Sequence, residues 1–168
     1  KCERVRIGRE SEKNMTMLDL YGNPLKNDEI DKDKIILLDL NYTLISNSRT
    51  NTGSMTRRIP REEYETELLE MIKDNTVILI TARPEKYKED SLKNIHEKTG
   101  FIPDDSYWNT GMRPPQIKEY WLKNAIFPKY GEDPNQYYAI ESNPATRRMY
   151  AKYRIKSDRK EDIMVKYK

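Results

Sequence analysis

Residues 35–44 read IILLDLNYTL: four apolar residues run straight into Asp39, with Asn41 and Thr43 at alternate positions beyond it. A run this short and this rich in branched side chains reads as a buried strand rather than a free-standing helix. Strands buried on both faces belong to parallel sheets covered by helices. Ligands gather just beyond the carboxyl ends of such strands. Asp39 stands at one of these ends and is the first candidate for chemistry.

Two further runs repeat the signal. Residues 77–80 are Val-Ile-Leu-Ile and end at Thr81, and residues 137–140 are Tyr-Tyr-Ala-Ile and end at Glu141. Helical spacing is expected over 61–73 (Tyr64, Leu68, Leu69, Ile72), over 84–98 with a stop at Gly100, over 115–127 behind Pro114-Pro115, and from Pro144 to about residue 152. A last strand is expected at 153–156, and the segments 45–60 and 101–113 read as loops. Strands alternating with helices predict an α/β three-layer sandwich with a mainly parallel sheet. Right-handed crossovers would bring Asp39, Thr81 and Glu141 to one edge of it. Residues 35–156 form the domain in this reading. Residues 1–34 are an N-terminal extension or hairpin, and 157–168 a charged C-terminal tail.

Composition narrows the function classes. The 168 residues are 35% charged and 36% hydrophobic, which implies an economical core under a heavily charged surface. A net charge of +3 permits an acidic or phosphorylated partner without demanding one. Cys2 is the only cysteine, so no internal disulfide framework can form and a reducing compartment is expected. No apolar stretch approaches the roughly 20 residues of a membrane span. KCERVRIGRE lacks the apolar core of a signal peptide. A cytoplasmic protein with no membrane partner is expected, and the absent initial Met reads as a processed or excised piece. His96 is the only histidine and has no second His or Cys near it, which argues against zinc.

The series Asp39-Leu40-Asn41-Tyr42-Thr43-Leu44, then Thr81, Lys118 and Glu141, resembles the four motifs of the haloacid dehalogenase superfamily of phosphotransferases, over roughly residues 35–156. Phosphoryl transfer needs an in-line nucleophile and compensation of the charge on the equatorial oxygens. The resemblance implies that Asp39 attacks as nucleophile to give an aspartyl-phosphate. It implies a Mg²⁺ held by Asp39, the backbone of Asn41 and Glu141. Lys118 and Thr81 would hold the phosphate.

Two positions depart from the pattern. Relatives usually carry a second Asp, the general acid and base, where this chain has Asn41, and an amide cannot exchange a proton at neutral pH. Since such help typically contributes 10²–10⁴-fold, slow turnover is expected. Many relatives also carry two adjacent acids where this chain has Glu141-Ser142, which leaves a metal site with less negative charge.

The substrate is approached by size. About 42 residues separate Asp39 from Thr81 and about 37 separate Thr81 from Lys118, too few for a cap domain, so a capless site open to large substrates is expected. The segments TARPEKYKEDSLKNIHEKTGFIPDD, GMRPPQIKEYWLKN and IESNPATRRMYAKYRI also resemble the phosphatase domain of polynucleotide kinase-phosphatases and related phage and bacterial proteins. In that likeness Arg83 and Arg113 could clamp phosphate in a bidentate fork. Arg57, Arg58 and Arg61 cluster nearby, and from Pro144 onward nine Lys or Arg face three Asp or Glu. Two functions stay open at this point: a Mg²⁺-dependent phosphohydrolase acting on a nucleotide or polynucleotide phosphate end, in the manner of a 3′-phosphatase, and a module of the same fold that binds phosphate or nucleic acid without turnover.

Overall fold

The structure is a computed structural model that describes residues 30–164. The N-terminal extension, apart from residues 30–34, and the last four residues lie outside the described residues.

Five strands form one sheet: β1 (Ile35–Leu38), β2 (Thr76–Pro84), β3 (Asp105–Asn109), β4 (Tyr137–Ile140) and β5 (Lys156–Asp158). Their order is β3-β2-β1-β4-β5, and every pairing is parallel. Seven helices follow the chain: α1 (Met55–Arg61), α2 (Thr66–Met71), α3 (Lys88–Thr99), α4 (Pro114–Trp121), α5 (Phe127–Tyr130), α6 (Pro144–Lys152) and α7 (Lys160–Met164). Residues 122–126 carry α4 into α5 through a wider π-type turn.

The period-2 alternation of the strands sorts the core into two faces. Ile36, Leu38, Val77 and Leu79 pack with Leu68, Ile72, Ile95, Ile163 and Met164 on the side covered by α2, α3 and α7. Leu37, Ile78, Ile80 and Ala139 pack with Leu122, Ile126, Met149 and Tyr150 on the side of α4 to α6. The result is the three-layer α/β sandwich with a parallel sheet. Neither the span from Asp39 to Thr81 nor that from Thr81 to Lys118 holds a second domain among the described residues. No helix among them is long and apolar enough to cross a membrane.

The differences from the expected elements have local causes. β3 lies in a segment that reads as a loop, because DSYWN is an edge strand with Trp108 as its one buried residue. α1 lies in the expected 45–60 loop and carries Pro60 within it, and the helix expected over 61–73 is confined to α2. Tyr64 stands between them, bridged antiparallel to Ile45. The last strand is β5 at Lys156–Asp158 rather than 153–156, because Arg154 turns the chain with φ 63° and pairing begins only afterwards. Residues 157–164 of the expected charged tail complete β5 and form α7, whose Ile163 and Met164 are buried.

Candidate active site

β1 pairs with β2 on one side and with β4 on the other, so the strand order reverses between β1 and β4. That reversal is where a doubly wound sheet opens a crevice. Leu38 is level with Leu79 of β2 and Ile140 of β4, which puts Asp39 and Glu141 side by side one step past the sheet. The backbone bond from Asp39 N–H to Ile140 O (3.0 Å) keeps them there.

Lys118, in the middle of α4, reaches this edge from the helical layer. Its Nζ donates to Asp39 Oδ1 at 2.8 Å and to Glu141 Oε1 at 2.6 Å, with all three side chains buried. The two carboxylates are therefore no further apart than these two bonds laid end to end. Asp39 Oδ2 accepts from the Thr43 hydroxyl at 2.8 Å and the Ser142 hydroxyl at 3.0 Å. Burial alone would raise the Asp39 carboxyl, but the charge and hydrogen bond of Lys118 and the Thr43 hydroxyl outweigh it and hold Asp39 below its ordinary value. Burial pushes Glu141 up to about 7, against the pull of Lys118 and with the push of the neighbouring Asp39. Burial also opposes the charge on Lys118, yet the two carboxylates hold it above its usual value. One anion, one shared ammonium and one carboxyl whose charge burial disfavours make a desolvated centre in which Asp39 is the more readily ionised of the two carboxyls.

Asn41 follows in a turn that runs from Leu40 to Leu44, and its carbonyl oxygen lies 3.4 Å from the Ser142 hydroxyl. Asp39 Oδ2, the Asn41 carbonyl and Ser142 Oγ thus converge, and these are the oxygens that could hold a divalent cation. Glu141 is turned away from that set: its Oε1 is on Lys118 and its Oε2 accepts from the Asn143 N–H at 3.0 Å. Sequence reasoning put the cation-binding acid at Glu141, whereas the side chain beside Asp39 Oδ2 is that of Ser142. Among the described residues no three His, Cys, Asp or Glu side chains group to hold a metal by themselves. A hard ion that keeps several waters suits a donor set with one carboxylate and two neutral oxygens.

Thr81 is buried in β2, two residues past Leu79, and its hydroxyl oxygen accepts from the Arg83 N–H at 3.0 Å. Arg83 is not placed as a free phosphate clamp. Its guanidinium is buried and forks onto Glu62, Nη1 also donates to Ser91 Oγ at 2.9 Å, and Nη2 donates to Asn41 Oδ1 at 2.8 Å. With the donors of both terminal nitrogens engaged, Arg83 acts on the site through Asn41. It fixes the amide with its oxygen inward and leaves the –NH₂ free to donate. Arg113 is exposed at the start of α4 and reaches none of these groups.

Thr43, Ser142 and Glu62 are the site residues that sequence reasoning missed. Thr43 and Ser142 had a readable signal, since hydroxyls flanked the two strand-end acids. Glu62 had none, because its partner lies 21 residues away across a loop.

No protein-family model matches the chain, and no curated protein matches it. Solved structures share its fold. A chain in the structure of the Pnkp1/Rnl/Hen1 RNA repair complex is similar with a TM-score of 0.60 and 18% identity, over 82% of this chain and 49% of that one. A second structure of the Pnkp1/Rnl/Hen1 complex gives a TM-score of 0.63 and 16% identity, over 93% and 57%. At such identity the likeness is one of fold. The chain spans about half the length of the chains it matches.

Proposed function

We propose that the chain is a capless, Mg²⁺-dependent phosphohydrolase of the haloacid dehalogenase type that acts on a phosphate end of a nucleotide or polynucleotide. The observation that carries this reading is Lys118 Nζ bridging Asp39 and Glu141 at the strand-order reversal. The likeness in fold to a chain of an RNA repair complex supports the choice of a nucleic-acid end.

In the first step an Asp39 oxygen attacks phosphorus, the bond to the leaving oxygen breaks, and an aspartyl-phosphate forms. In the second, water attacks that phosphorus and frees the Asp39 carboxylate and inorganic phosphate. Lys118 steadies the nucleophile and brings positive charge to the transferring group. The Thr81 hydroxyl, which accepts from the Arg83 N–H, would donate a hydrogen bond to a phosphate oxygen. Asp39, the Asn41 carbonyl and Ser142 would hold Mg²⁺, which would supply charge neutralisation. Asn41 can donate a hydrogen bond to the leaving oxygen but no proton, so water must supply it, and turnover is slow.

Phosphate release from a 3′-phosphorylated oligonucleotide with Mg²⁺ tests the reading. Slow release is expected from the wild type, none from Asp39→Asn, and a gain on the order of 10² in kcat from Asn41→Asp. Release that survives Asp39→Asn would overturn the role of Asp39. A second reading, binding without turnover, is favoured by Asn41 and Ser142. It prevails when the wild type is inert and Asn41→Asp gains activity.

A further inference from the structure

Tyr42 is 52% exposed in a turn whose neighbours Leu40, Thr43, Leu44 and Ile45 are buried. Its φ of 62° lies in the left-handed region, which among the described non-glycine residues only Arg154 shares. A bulky side chain is disfavoured there, whereas glycine is at no disadvantage. Backbone strain of this kind survives only where the surroundings over-determine it, and it collects at functional sites. The turn is tied down: the Tyr42 N–H donates to Ser48 Oγ at 2.9 Å and the Ile45 N–H to Leu40 O at 3.0 Å. The ring is not. Among the described residues neither the ring nor the hydroxyl of Tyr42 has a partner. An exposed aromatic is thus held, at a cost to the backbone, beside the residue that would attack phosphorus.

Arg49 follows Ser48, the residue that accepts from the Tyr42 N–H. Residues 45–61 contain Arg49, Arg57, Arg58 and Arg61 and no acid. Arg61 braces the loop by donating to the carbonyls of Arg57 and Thr52. Arg49 and Arg57 are exposed, and their guanidinium groups have no partner among the described residues.

We propose that Tyr42 and this loop form a subsite for single-stranded polynucleotide, with the Tyr42 ring stacked on the base next to the phosphate at Asp39 and with Arg49 and Arg57 on backbone phosphates. Aromatic faces interleaved with cations that follow the backbone are how single strands are held without reading sequence. Two unpaired arginines suit a ligand with more than one phosphate better than a small phosphorylated metabolite with one. The inference deepens the phosphatase reading and rests on it for the place of the terminal phosphate.

The test is fluorescence anisotropy of the full chain with a dye-labelled, 3′-phosphorylated single-stranded hexanucleotide in EDTA, where no hydrolysis competes. Tyr42→Ala is expected to weaken binding about tenfold, within the range of losing one stacked base, and Tyr42→Phe to stay within twofold. Arg49→Gln with Arg57→Gln is expected to lower the slope of log K against log salt by about 1.4, at about 0.7 per phosphate contact. Melting curves confirm that each variant folds. Wild-type affinity in Tyr42→Ala, an unchanged salt slope in the double variant, or equal competition by a phosphopeptide would overturn the subsite. Tight, Tyr42-dependent binding by a wild type that releases no phosphate in Mg²⁺ leaves the subsite standing and removes catalysis. Release of phosphate with unaltered binding by Tyr42→Ala does the reverse.

Discussion

Lys118 and Lys129 each reach a carboxylate at the end of a strand, Lys118 past the carboxyl ends of β1 and β4, and Lys129 at the first residue of β3. Lys118 is 2% exposed and shared between Asp39 and Glu141. The side chain of Lys129 is 60% exposed, 3.1 Å from Asp105 Oδ2, which also accepts from the Tyr107 and Tyr130 hydroxyls at 2.8 Å. Burial pushes the Asp105 carboxyl up, but the Tyr107 and Tyr130 hydroxyls, then Lys129, bring it below its ordinary value, as Lys118 does for Asp39. What separates the two clusters is water. At β3 solvent screens the lysine, and the hydroxyls do most of the holding. At the strand-order reversal no solvent intervenes, so each charge depends on the other two, and their reactivity is set by the fold.

Substitutions that remove one partner from each cluster sharpen that contrast. The largest effect is expected from Lys118→Met, which leaves two buried carboxylates facing each other. It should lower unfolding free energy by about 3–5 kcal/mol in urea melts and abolish phosphate release. A loss under about 1 kcal/mol would place the centre in the solvated class. Glu62→Gln strips the buried anion from Arg83 and should cost about 2–3 kcal/mol in the same melts, with Asn41 loosened as a result.

Asp105→Asn should cost about 1 kcal/mol at neutral pH, for hydrogen bonds on a partly solvated carboxylate. Because the folded state binds this proton less readily than the unfolded chain, its stabilisation is complete above the ordinary value of 3.8 and is lost as pH falls through the lower folded value. The difference between wild type and variant should therefore be flat from neutral pH down to about 4 and shrink below it. The smallest effect is expected from Lys129→Met, a small shift of the urea midpoint that vanishes at high salt.

The buried middle of the sheet was legible because β1, β2 and β4 are apolar runs that end in polar residues. Proline and glycine marked some helix ends and not others, since Pro60 lies inside α1. Gly100 closes α3 with φ 78°, and Pro144 opens α6 at its first residue. β3 escaped because one face of an edge strand meets half-solvated surroundings, so Asp105 and Ser106 read as loop chemistry. At the site, strand ends named Asp39, Thr81 and Glu141, and the resemblance to the haloacid dehalogenase motifs named Lys118. Arg83 was the instructive failure. Its place beside the second motif was right, but its partner Glu62 is set by how α1 and Tyr64 fold back, and local sequence does not carry that. Ser142 registered as a missing acid, whereas its hydroxyl donates to Asp39.

The interior cations are already matched with anions: Lys118 with Asp39 and Glu141, Arg83 with Glu62, and Lys160 with Glu65 at 2.7 Å. An arriving phosphate dianion thus meets no unmatched side-chain cation there. For the proposed hydrolase this leaves the compensating charge to the divalent cation, so that both the entry of substrate and the retention of inorganic phosphate would follow metal occupancy.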